Sequence, residues 1–317
     1  MRSFVTGGAG FIGSHLVDRL LVLDHEVLVY DNFSTGRPEF LESAKKNHRL
    51  RIIEGDLLDE KKLTESISGF DQVFHIAANA DVRFGTNHPR QDLEQNTIGT
   101  FHVLEAMRKN GIRRIIFPST GSVYGESEIF PTPEDAPFPV QTSLYGASKL
   151  AAEGLIEAYV EGFGFQAWMF RFVSILGARY THGHVVDFYK RLIEDPDRLD
   201  VLGDGHQKKS YLHMDDCINA IMLAIEKTQD KLNIFNLGTD EYVEVNDSSR
   251  VILETLQLKP KINYSGTSRG WIGDNPFIFL ETAKIQSLGW KPTLSIKEAI
   301  VKTVEWLSKN EWLLKRV

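Results

Sequence analysis

A glycine-rich turn near the start of the chain restricts its fold more than any other feature. The segment from Thr6 to Gly13, with the sequence TGGAGFIG, follows a short apolar run and precedes residues with helical spacing. Glycines at positions 7, 10 and 13 suit a backbone that turns tightly, lets a pyrophosphate approach and packs a helix against a strand. The first amide groups of that helix, at the positive end of its dipole, would point at the phosphates. The alternative is an ordinary glycine-rich loop.

An aspartate at the end of the next predicted strand narrows the choice of nucleotide. Glu26 to Tyr30 has the pattern of a strand and is followed by Asp31 and Asn32, with Asp31 lying 18 residues after Gly13. A carboxylate at this place accepts hydrogen bonds from an adenosine ribose and repels a 2′-phosphate, which favours NAD over NADP. The alternative is an aspartate that caps a helix or a turn.

The alternation of short apolar runs with amphipathic stretches predicts the fold class. Helical spacing is clear between Leu93 and Met107, and Gly111 ends that stretch. Strands that alternate with helices predict an α/β fold with a Rossmann-type, doubly wound parallel sheet and right-handed crossovers. The predicted strands are Ser3 to Thr6, Glu26 to Tyr30, Leu50 to Glu54, Gln72 to Ile76, Arg114 to Pro118 and Gln166 to Arg171.

The regular alternation ends at about Arg171, which suggests a second lobe. We predict an NAD-binding domain over residues 1–171, to which later segments around 211–237 return. Residues 172–317 are then a smaller α/β substrate-binding lobe, interleaved with the first domain. A chain of 317 residues has room for two such lobes.

Composition excludes several partners and environments. With 36 basic and 43 acidic residues the net charge is −7, and no helix carries a basic stripe, so nucleic acid is not an expected partner. No segment has the roughly 20 apolar residues that span a bilayer, and no secretory leader is visible. The single cysteine, Cys217, excludes an internal disulfide and favours a reducing compartment. We expect a cytoplasmic protein without a membrane partner, and no metal site, because His182 and His184 have no nearby ligand cluster.

A tyrosine and a lysine four residues apart form the candidate reaction centre. Tyr145 and Lys149 lie at the start of a helical run, where spacing of four puts both on one helix face. A tyrosine that acts as a base near neutrality needs its pKa lowered by roughly 3 units, or about 4 kcal/mol. A neighbouring ammonium group and a positive nicotinamide ring would stabilise the phenolate in this way. A surface Tyr-Lys pair is the alternative.

The segment from Phe117 to Gly125 supports the catalytic interpretation, because it is a predicted strand that ends in hydroxyl groups where doubly wound folds bind ligands.

Together these residues resemble the extended short-chain dehydrogenase/reductase family, in particular its NAD-dependent nucleotide-sugar epimerases and dehydratases. The resemblance extends over the whole chain, and the shared positions include Gly55-Asp56-Leu57, His75-Ile76-Ala77-Ala78 and Asn96 with Gly99-Thr100. It implies that Asp56 and Leu57 contact the adenine and that Lys149 holds the nicotinamide ribose. The predicted cofactor-binding residues are Gly7, Gly10, Phe11, Ile12, Gly13, Asp31, Asn32, Ser34, Thr35, Gly36, Asp56, Leu57, Ala77, Ala78, Asn96, Tyr145, Lys149 and Val173.

The resemblance also implies a reaction. Tyr145 would take the proton of a sugar 4-hydroxyl group, Thr120 would hydrogen-bond the same hydroxyl, and hydride would pass from C4 to NAD. Return of the hydride to the other face of the 4-keto sugar gives 4-epimerisation, as in the enzymes that act on UDP-glucose. Dehydratases of the family follow the threonine with an Asp-Glu pair, whereas this chain has Gly121 and Ser122. A 4-epimerase is therefore favoured over a 4,6-dehydratase or a decarboxylase, whereas a net 4-dehydrogenase stays an alternative. The intact Thr120, Tyr145 and Lys149 argue against a non-catalytic NAD-sensing module.

The predicted partners are a nucleotide-diphosphate sugar and a second copy of the chain. The family's usual Arg-Asp before Tyr211 is Lys209-Ser210 here, which keeps the charge and loses a bidentate fork. Ser174 also stands where the family usually has asparagine, and Arg269 and Asp274 flank four residues where the family usually has a compact Arg-Pro-Gly-Asp. These three departures leave open which base and which sugar are bound. In the family, helices that correspond to residues 96–108 and 145–159 form a homodimer contact. The predicted substrate-binding residues are Thr120, Ser122, Ser174, His184, Val185, Lys209, Tyr211, Arg269 and Asp274.

Overall fold

A seven-stranded parallel sheet forms the centre of the chain in a computed structural model that describes residues 1–266 and 277–316. The predicted substrate-binding residues Arg269 and Asp274 lie outside the described residues. The strands are β1 Arg2–Thr6, β2 Glu26–Asp31, β3 Leu50–Glu54, β4 Gln72–His75, β5 Arg114–Pro118, β6 Gln166–Phe172, β7 Ser174–Leu176, β8 Arg198–Val201, β9 Lys208–Lys209, β10 Tyr211–His213, β11 Leu232–Leu237, β12 Val243–Glu244 and β13 Lys261–Tyr264.

Helices connect the strands of the sheet. A π-helical turn at Leu93–Ile98 precedes the fifth helix, and a short 3₁₀ turn at Gly121–Tyr124 follows β5. The helices are α1 Phe11–Val22, α2 Glu60–Ser66, α3 Val82–Asn87, α4 Pro89–Asp92, α5 Gly99–Lys109, α6 Leu144–Phe163, α7 His184–Glu194, α8 Met214–Lys227, α9 Val245–Leu256, α10 Ala283–Gln286 and α11 Ile296–Lys309.

The strand order confirms the predicted fold class. It is β11-β6-β5-β4-β1-β2-β3: the strands β1 to β3 are added toward one edge of the sheet and β4 to β6 toward the other. The strand order therefore reverses between β1 and β4, as a doubly wound sheet requires. Phe4 and Val5 of β1 are fully buried, because helices cover both faces of a parallel sheet. The carboxyl ends of β1, β2, β4 and β5 therefore meet at one edge, where ligands bind in folds of this kind.

The chain divides into two units. The first comprises Met1–Val123, Ser143–Arg171 and Ile221–Phe235, and it includes most of the large sheet. The second comprises Tyr124–Thr142, Phe172–Ala220 and Asn236–Val317. Tyr124–Thr142 belongs to the second unit, although the sequence places it in the first domain. The predicted substrate-binding role of residues 172–317 stays a prediction.

The helix that carries the candidate base begins at a serine cap. The Ser143 hydroxyl accepts a hydrogen bond of 3.0 Å from the Gly146 amide, and the helix ends at Gly164 in a left-handed conformation.

Ser143→Ala is expected to lower the free energy of unfolding by about 1 kcal/mol, because one buried amide loses its acceptor. Urea denaturation measures this change. Ser143→Thr, which keeps the hydroxyl, is the control, and equal stability of the alanine and threonine variants would contradict the assignment.

Candidate active site

The turn after β1 is a cradle that only glycine can form. Gly7 has a φ of +67°, and a Cβ built there would lie 2.6 Å from the Ala77 nitrogen. A Cβ on Gly13 would lie 2.1 Å from the Gly7 carbonyl oxygen. Phe11 and Ile12 open α1 directly after Gly10, so the first turn of the helix points its amide groups at the same place. These observations fit a bound pyrophosphate.

The end of β2 carries a carboxylate held by backbone amides. Asp31 accepts hydrogen bonds from the Ala9 amide at 2.9 Å and the Phe33 amide at 2.8 Å. A carboxylate has about four acceptor positions, so a ribose hydroxyl can still donate to it. Burial raises the pKa of Asp31, and the two amides oppose that shift. A Cβ on Gly36 would lie 2.8 Å from the Asp31 Oδ1 atom, which explains the glycine.

The other predicted adenosine contacts surround this carboxylate in sequence and space. The Asn32 amide donates to the Asp56 carboxylate at 2.8 Å, and the Ser34 hydroxyl donates to the Asn32 oxygen at 2.7 Å. Thr35 is exposed, whereas Leu57 is buried in the core of the first unit. The predicted cofactor contacts at these positions stay predictions.

Asn96 supports the loop after β4. Its side-chain oxygen accepts from the Asn79 amide at 2.8 Å, and its side-chain nitrogen donates to the Ser148 hydroxyl at 2.9 Å. Asn96 is 1% exposed and lies in the π-helical turn, a feature that often occurs at functional sites. Its amide thus joins the loop that contains Ala77 and Ala78 to the helix of the candidate base.

Three side chains meet at the candidate reaction centre. Tyr145 and Lys149 lie one turn apart on α6, and the Thr120 side chain, just after β5, lies close enough to the Tyr145 hydroxyl to lower its pKa. The Thr120 hydroxyl also accepts a hydrogen bond of 3.1 Å from the Ser122 amide. The Lys149 Nζ atom lies 3.8 Å from the centre of the Phe117 ring. The structure thus brings together the base, the lysine and the threonine that the sequence singled out.

Burial disfavours the charged forms of both titratable groups. It raises the pKa of Tyr145 to about 12, while the Thr120 side chain acts in the opposite direction. Burial lowers the pKa of Lys149 to about 7, and the carboxylate of Glu153 opposes that change. Groups with perturbed pKa values at a ligand-binding edge are typical of catalytic sites.

A buried ion pair beside the centre was missed by the sequence analysis. Glu153 and Arg171 are 1% and 2% exposed, and the Arg171 Nη2 atom lies 2.7 Å from a carboxylate oxygen of Glu153. The Ser119 hydroxyl donates a short hydrogen bond to the same carboxylate. The only signal in the sequence is the spacing: Glu153 follows Lys149 by four residues and therefore lies on the same helix face.

The remaining predicted substrate residues lie in the second unit. Tyr211 and Ser174 are register neighbours in the β7–β10 pair, and the Tyr211 hydroxyl lies 2.7 Å from the His184 Nδ1 atom. The His184 Nε2 atom lies 2.9 Å from the Ser248 hydroxyl, which itself donates to the Val245 carbonyl. Burial lowers the pKa of His184 to about 3, so the ring is neutral.

This arrangement fixes the direction of two hydrogen bonds. Nε2 carries the proton toward Ser248, and Nδ1 accepts from Tyr211, so the Tyr211 hydroxyl is the donor in its contact with His184. Val173 precedes β7, Lys209 pairs with Val243, and Val185 is completely buried in α7. Roles of these residues in substrate binding stay predictions.

Residues 1–266 and 277–316 lack two features that would point to other kinds of protein. No helix in these ranges is long and apolar enough to cross a membrane. The same residues contain no group of three or more His, Cys, Asp or Glu side chains placed to hold a metal ion.

Comparison with known proteins agrees with this geometry. Residues 3–238 match the model of the NAD dependent epimerase/dehydratase family. The chain is 31% identical to the UDP-glucose 4-epimerase of Mycolicibacterium smegmatis, over 96% of this chain and 98% of the relative. A solved UDP-galactose 4-epimerase superposes with a TM-score of 0.89 at 39% identity, covering 98% of this chain and all of the other. The UDP-glucose 4-epimerase of Thermotoga maritima, solved with UDP-glucose, has a TM-score of 0.89 at 33% identity, with coverage of 98% and 100%.

These matches confirm the predicted family and cofactor. The family match covers the part of the chain that contains the glycine turn, the Asp31 carboxylate and the Tyr145 helix. The chain therefore belongs to the NAD dependent epimerase/dehydratase family of extended short-chain dehydrogenases/reductases, with NAD as its cofactor.

Proposed function

We propose that this protein interconverts the C4 epimers of a nucleotide-diphosphate hexose, with UDP-glucose and UDP-galactose as the first candidates. The observation that carries the proposal is that Thr120, Tyr145 and Lys149 lie together at the edge of the sheet where the glycine turn lies, with Tyr145 and Lys149 one turn apart on α6. The names of the similar proteins support the same reaction and nucleotide.

Each residue of the centre has a distinct task in this reaction. When bound, NAD supplies reversible acceptance of the hydride from C4. Tyr145 takes the proton of the 4-hydroxyl group, and Thr120 hydrogen-bonds the same oxygen. Lys149 stabilises the phenolate and holds the nicotinamide ribose. After the 4-keto sugar presents its other face, Tyr145 returns the proton to the new hydroxyl group.

The residues after Thr120 argue against a dehydratase or decarboxylase. Elimination of water across C5 and C6 needs an acid and a base, and neither Gly121 nor Ser122 has an ionisable side chain. Thr120 and Ser122 instead hydrogen-bond each other at 3.2 Å. A net 4-dehydrogenase would differ from an epimerase by accumulating NADH.

Incubation with a panel of UDP-, dTDP-, GDP- and CDP-hexoses tests the proposal. Chromatography and NMR should detect a 4-epimer from at least one sugar, with no net change in NADH absorbance. A stable 4-keto product, accumulated NADH or the absence of any epimer would contradict it.

Ionisation of Tyr145 is expected to depend on NAD. Because burial raises its pKa to about 12, the phenol stays protonated near neutrality in the free protein. A positive charge favours the phenolate, so bound NAD⁺ should lower this pKa by at least about 2 units. The measurement is tyrosinate absorbance against pH, taken as the difference between the wild type and Tyr145→Phe. An equal pKa with and without NAD would contradict the prediction.

We further propose that the protein is a homodimer. Phe101 of α5 is 43% exposed, and Leu144 at the start of α6 is 45% exposed. In the family, the helices that correspond to α5 and α6 form the dimer contact, and both residues lie on these helices. Phe101→Asp is expected to give a monomer in sedimentation analysis, because a charge in an apolar interface is costly. Val22→Asp, at a residue that is 78% exposed on α1, is the control. A dimer that persists in Phe101→Asp would contradict this contact.

The expected compartment is the cytoplasm. Cys217 is a buried free thiol on α8, so this chain needs no oxidising environment. UDP-sugar interconversion also requires a pool of nucleotide sugars. Cell fractionation with an antibody against the protein tests the location.

A further inference from the structure

A third side chain continues the row formed by the base and the lysine. Tyr145, Lys149 and Glu153 follow one another at intervals of four on α6, so all three project from one face. Glu153 receives two contacts from the Arg171 Nε atom, at 3.1 and 3.2 Å, and one from Nη2 at 2.7 Å. This forked pairing fixes the position of the Glu153 carboxylate beside the reaction centre.

The same carboxylate fixes the strand end that carries Thr120. Ser119 is 3% exposed and donates a short hydrogen bond to Glu153 through its hydroxyl. The Ser119 amide donates to the Phe170 carbonyl at 2.6 Å. With both its backbone and its side chain held, Ser119 determines where the next residue, Thr120, can place its hydroxyl group.

A gain in folding stability alone does not explain why a buried Glu153–Arg171 ion pair is present. Removing two charges from water costs as much as their attraction returns, and apolar replacements of buried pairs are often neutral. The position beside Lys149 gives the pair a second possible use. The ammonium group of Lys149 lies over the Phe117 ring of β5, acts on the His75 ring of β4 and is attracted by Glu153 of its own helix, whose ion-pair partner Arg171 lies on β6.

Among the groups around Lys149, Glu153 is the one that favours its charged form. His75 is neutral, because burial lowers its pKa to about 3. The Phe117 ring attracts a cation only weakly. Burial works against the ammonium ion, and the Glu153 carboxylate raises the pKa of Lys149 again.

We propose that Glu153, held by Arg171, is a positioning residue of the reaction centre that places a buried negative charge beside Lys149 and fixes Thr120 through Ser119. The proposal deepens the epimerase function and rests on it, because it assigns a task to residues that touch neither sugar nor cofactor. It has two halves, charge and geometry, and a different variant tests each.

The double variant Glu153→Gln/Arg171→Met tests the charge half. It removes both charges, so no buried charge is left unpaired, and the glutamine oxygen can still accept from Ser119. Without the carboxylate the pKa of Lys149 falls. In a plot of kcat against pH, the alkaline limb, where activity is lost as Lys149 loses its proton, should therefore move to lower pH by about one unit. Above that limb kcat should fall about tenfold. A merely structural pair predicts an unchanged limb, and that result would overturn this half.

Ser119→Ala tests the geometric half. It leaves the charges in place and removes the hydrogen bond that holds the strand end. We expect kcat to fall about tenfold with the alkaline limb unmoved, since Lys149 keeps its environment. An unchanged kcat would overturn this half. Glu157→Gln, one turn further along α6, is the matched control and should leave both the limb and kcat as in the wild type.

A readout without a sugar separates this proposal from the proposed function. Protein with bound NAD and isotope-labelled lysine is titrated by NMR, and the Lys149 signal is identified by its loss in Lys149→Met. The double variant should titrate at a lower pH than the wild type, and equal titration would overturn the charge half. Failure of the wild type to epimerise any nucleotide sugar would instead contradict the proposed function and leave this titration interpretable.

Discussion

Replacing Tyr145 with phenylalanine is expected to lower kcat by about a thousandfold, equivalent to about 4 kcal/mol in the activation barrier. The substitution removes one oxygen, which is the atom that takes the sugar proton and whose pKa the Thr120 side chain lowers. Stability and NAD affinity should change little, because the ring still fills its place on α6. The measurement is the initial rate of epimer formation with NAD at saturation.

Tyr159→Phe is the matched control for this prediction. Tyr159 lies on the same helix and donates a hydrogen bond of 2.6 Å to Glu105, so the same atom is removed from a structural contact. We expect full kcat and a small loss of stability. If Tyr145→Phe kept more than about a tenth of the wild-type kcat, another group would have to be the base. If cellular function survived the loss of activity, an NAD-sensing role would become the better interpretation.

Gly13→Ala is expected to weaken NAD binding by at least about a hundredfold, or about 3 kcal/mol. The new Cβ would lie 2.1 Å from the Gly7 carbonyl oxygen and 2.9 Å from the Gly8 Cα atom. Both are backbone atoms of the turn itself, so the cradle has to open to admit the methyl group. Overpacking of this kind also costs about 1–3 kcal/mol of stability. Titration calorimetry with NAD and urea denaturation measure the two effects.

Gly154→Ala separates the cradle from a general effect of adding a methyl group. A Cβ at Gly154 meets nothing within 4 Å, and this exposed residue lies inside α6. The substitution should leave NAD binding unchanged and stabilise the helix by up to about 1 kcal/mol. NAD affinity of Gly13→Ala within threefold of the wild type would show that the turn does not hold the pyrophosphate.

The sheet and its ligand-binding edge could be predicted because their signals are local. Buried parallel strands are short apolar runs, and β5 is a buried strand with the bounds that the sequence predicts. Glycines at close backbone contacts also show in the sequence, since no other residue fits them. Tyr145 and Lys149 share a helix face for the simple reason that a helix repeats about every four residues.

The parts that the sequence did not reveal depend on contacts between distant segments. Arg171 pairs with Glu153 across 18 residues, and nothing in either local pattern indicates burial of the charges. The polar role of His184 likewise comes from Ser248, which lies 64 residues further on. The π-helical turn around Asn96 has the same apolar spacing as an ordinary helix. Tertiary packing decides each of these, so spacing along the chain carries little information about them.

The most direct test of the account follows the hydrogen atom at C4. A UDP-glucose that carries deuterium at C4 is incubated with the protein and NAD, and the product is analysed by NMR and mass spectrometry. If the hydride leaves C4 and returns to C4 within one turnover, UDP-galactose should form with the deuterium still at C4. Loss of the deuterium to water, its transfer to C6, or its recovery in free NADH would contradict the proposed epimerisation.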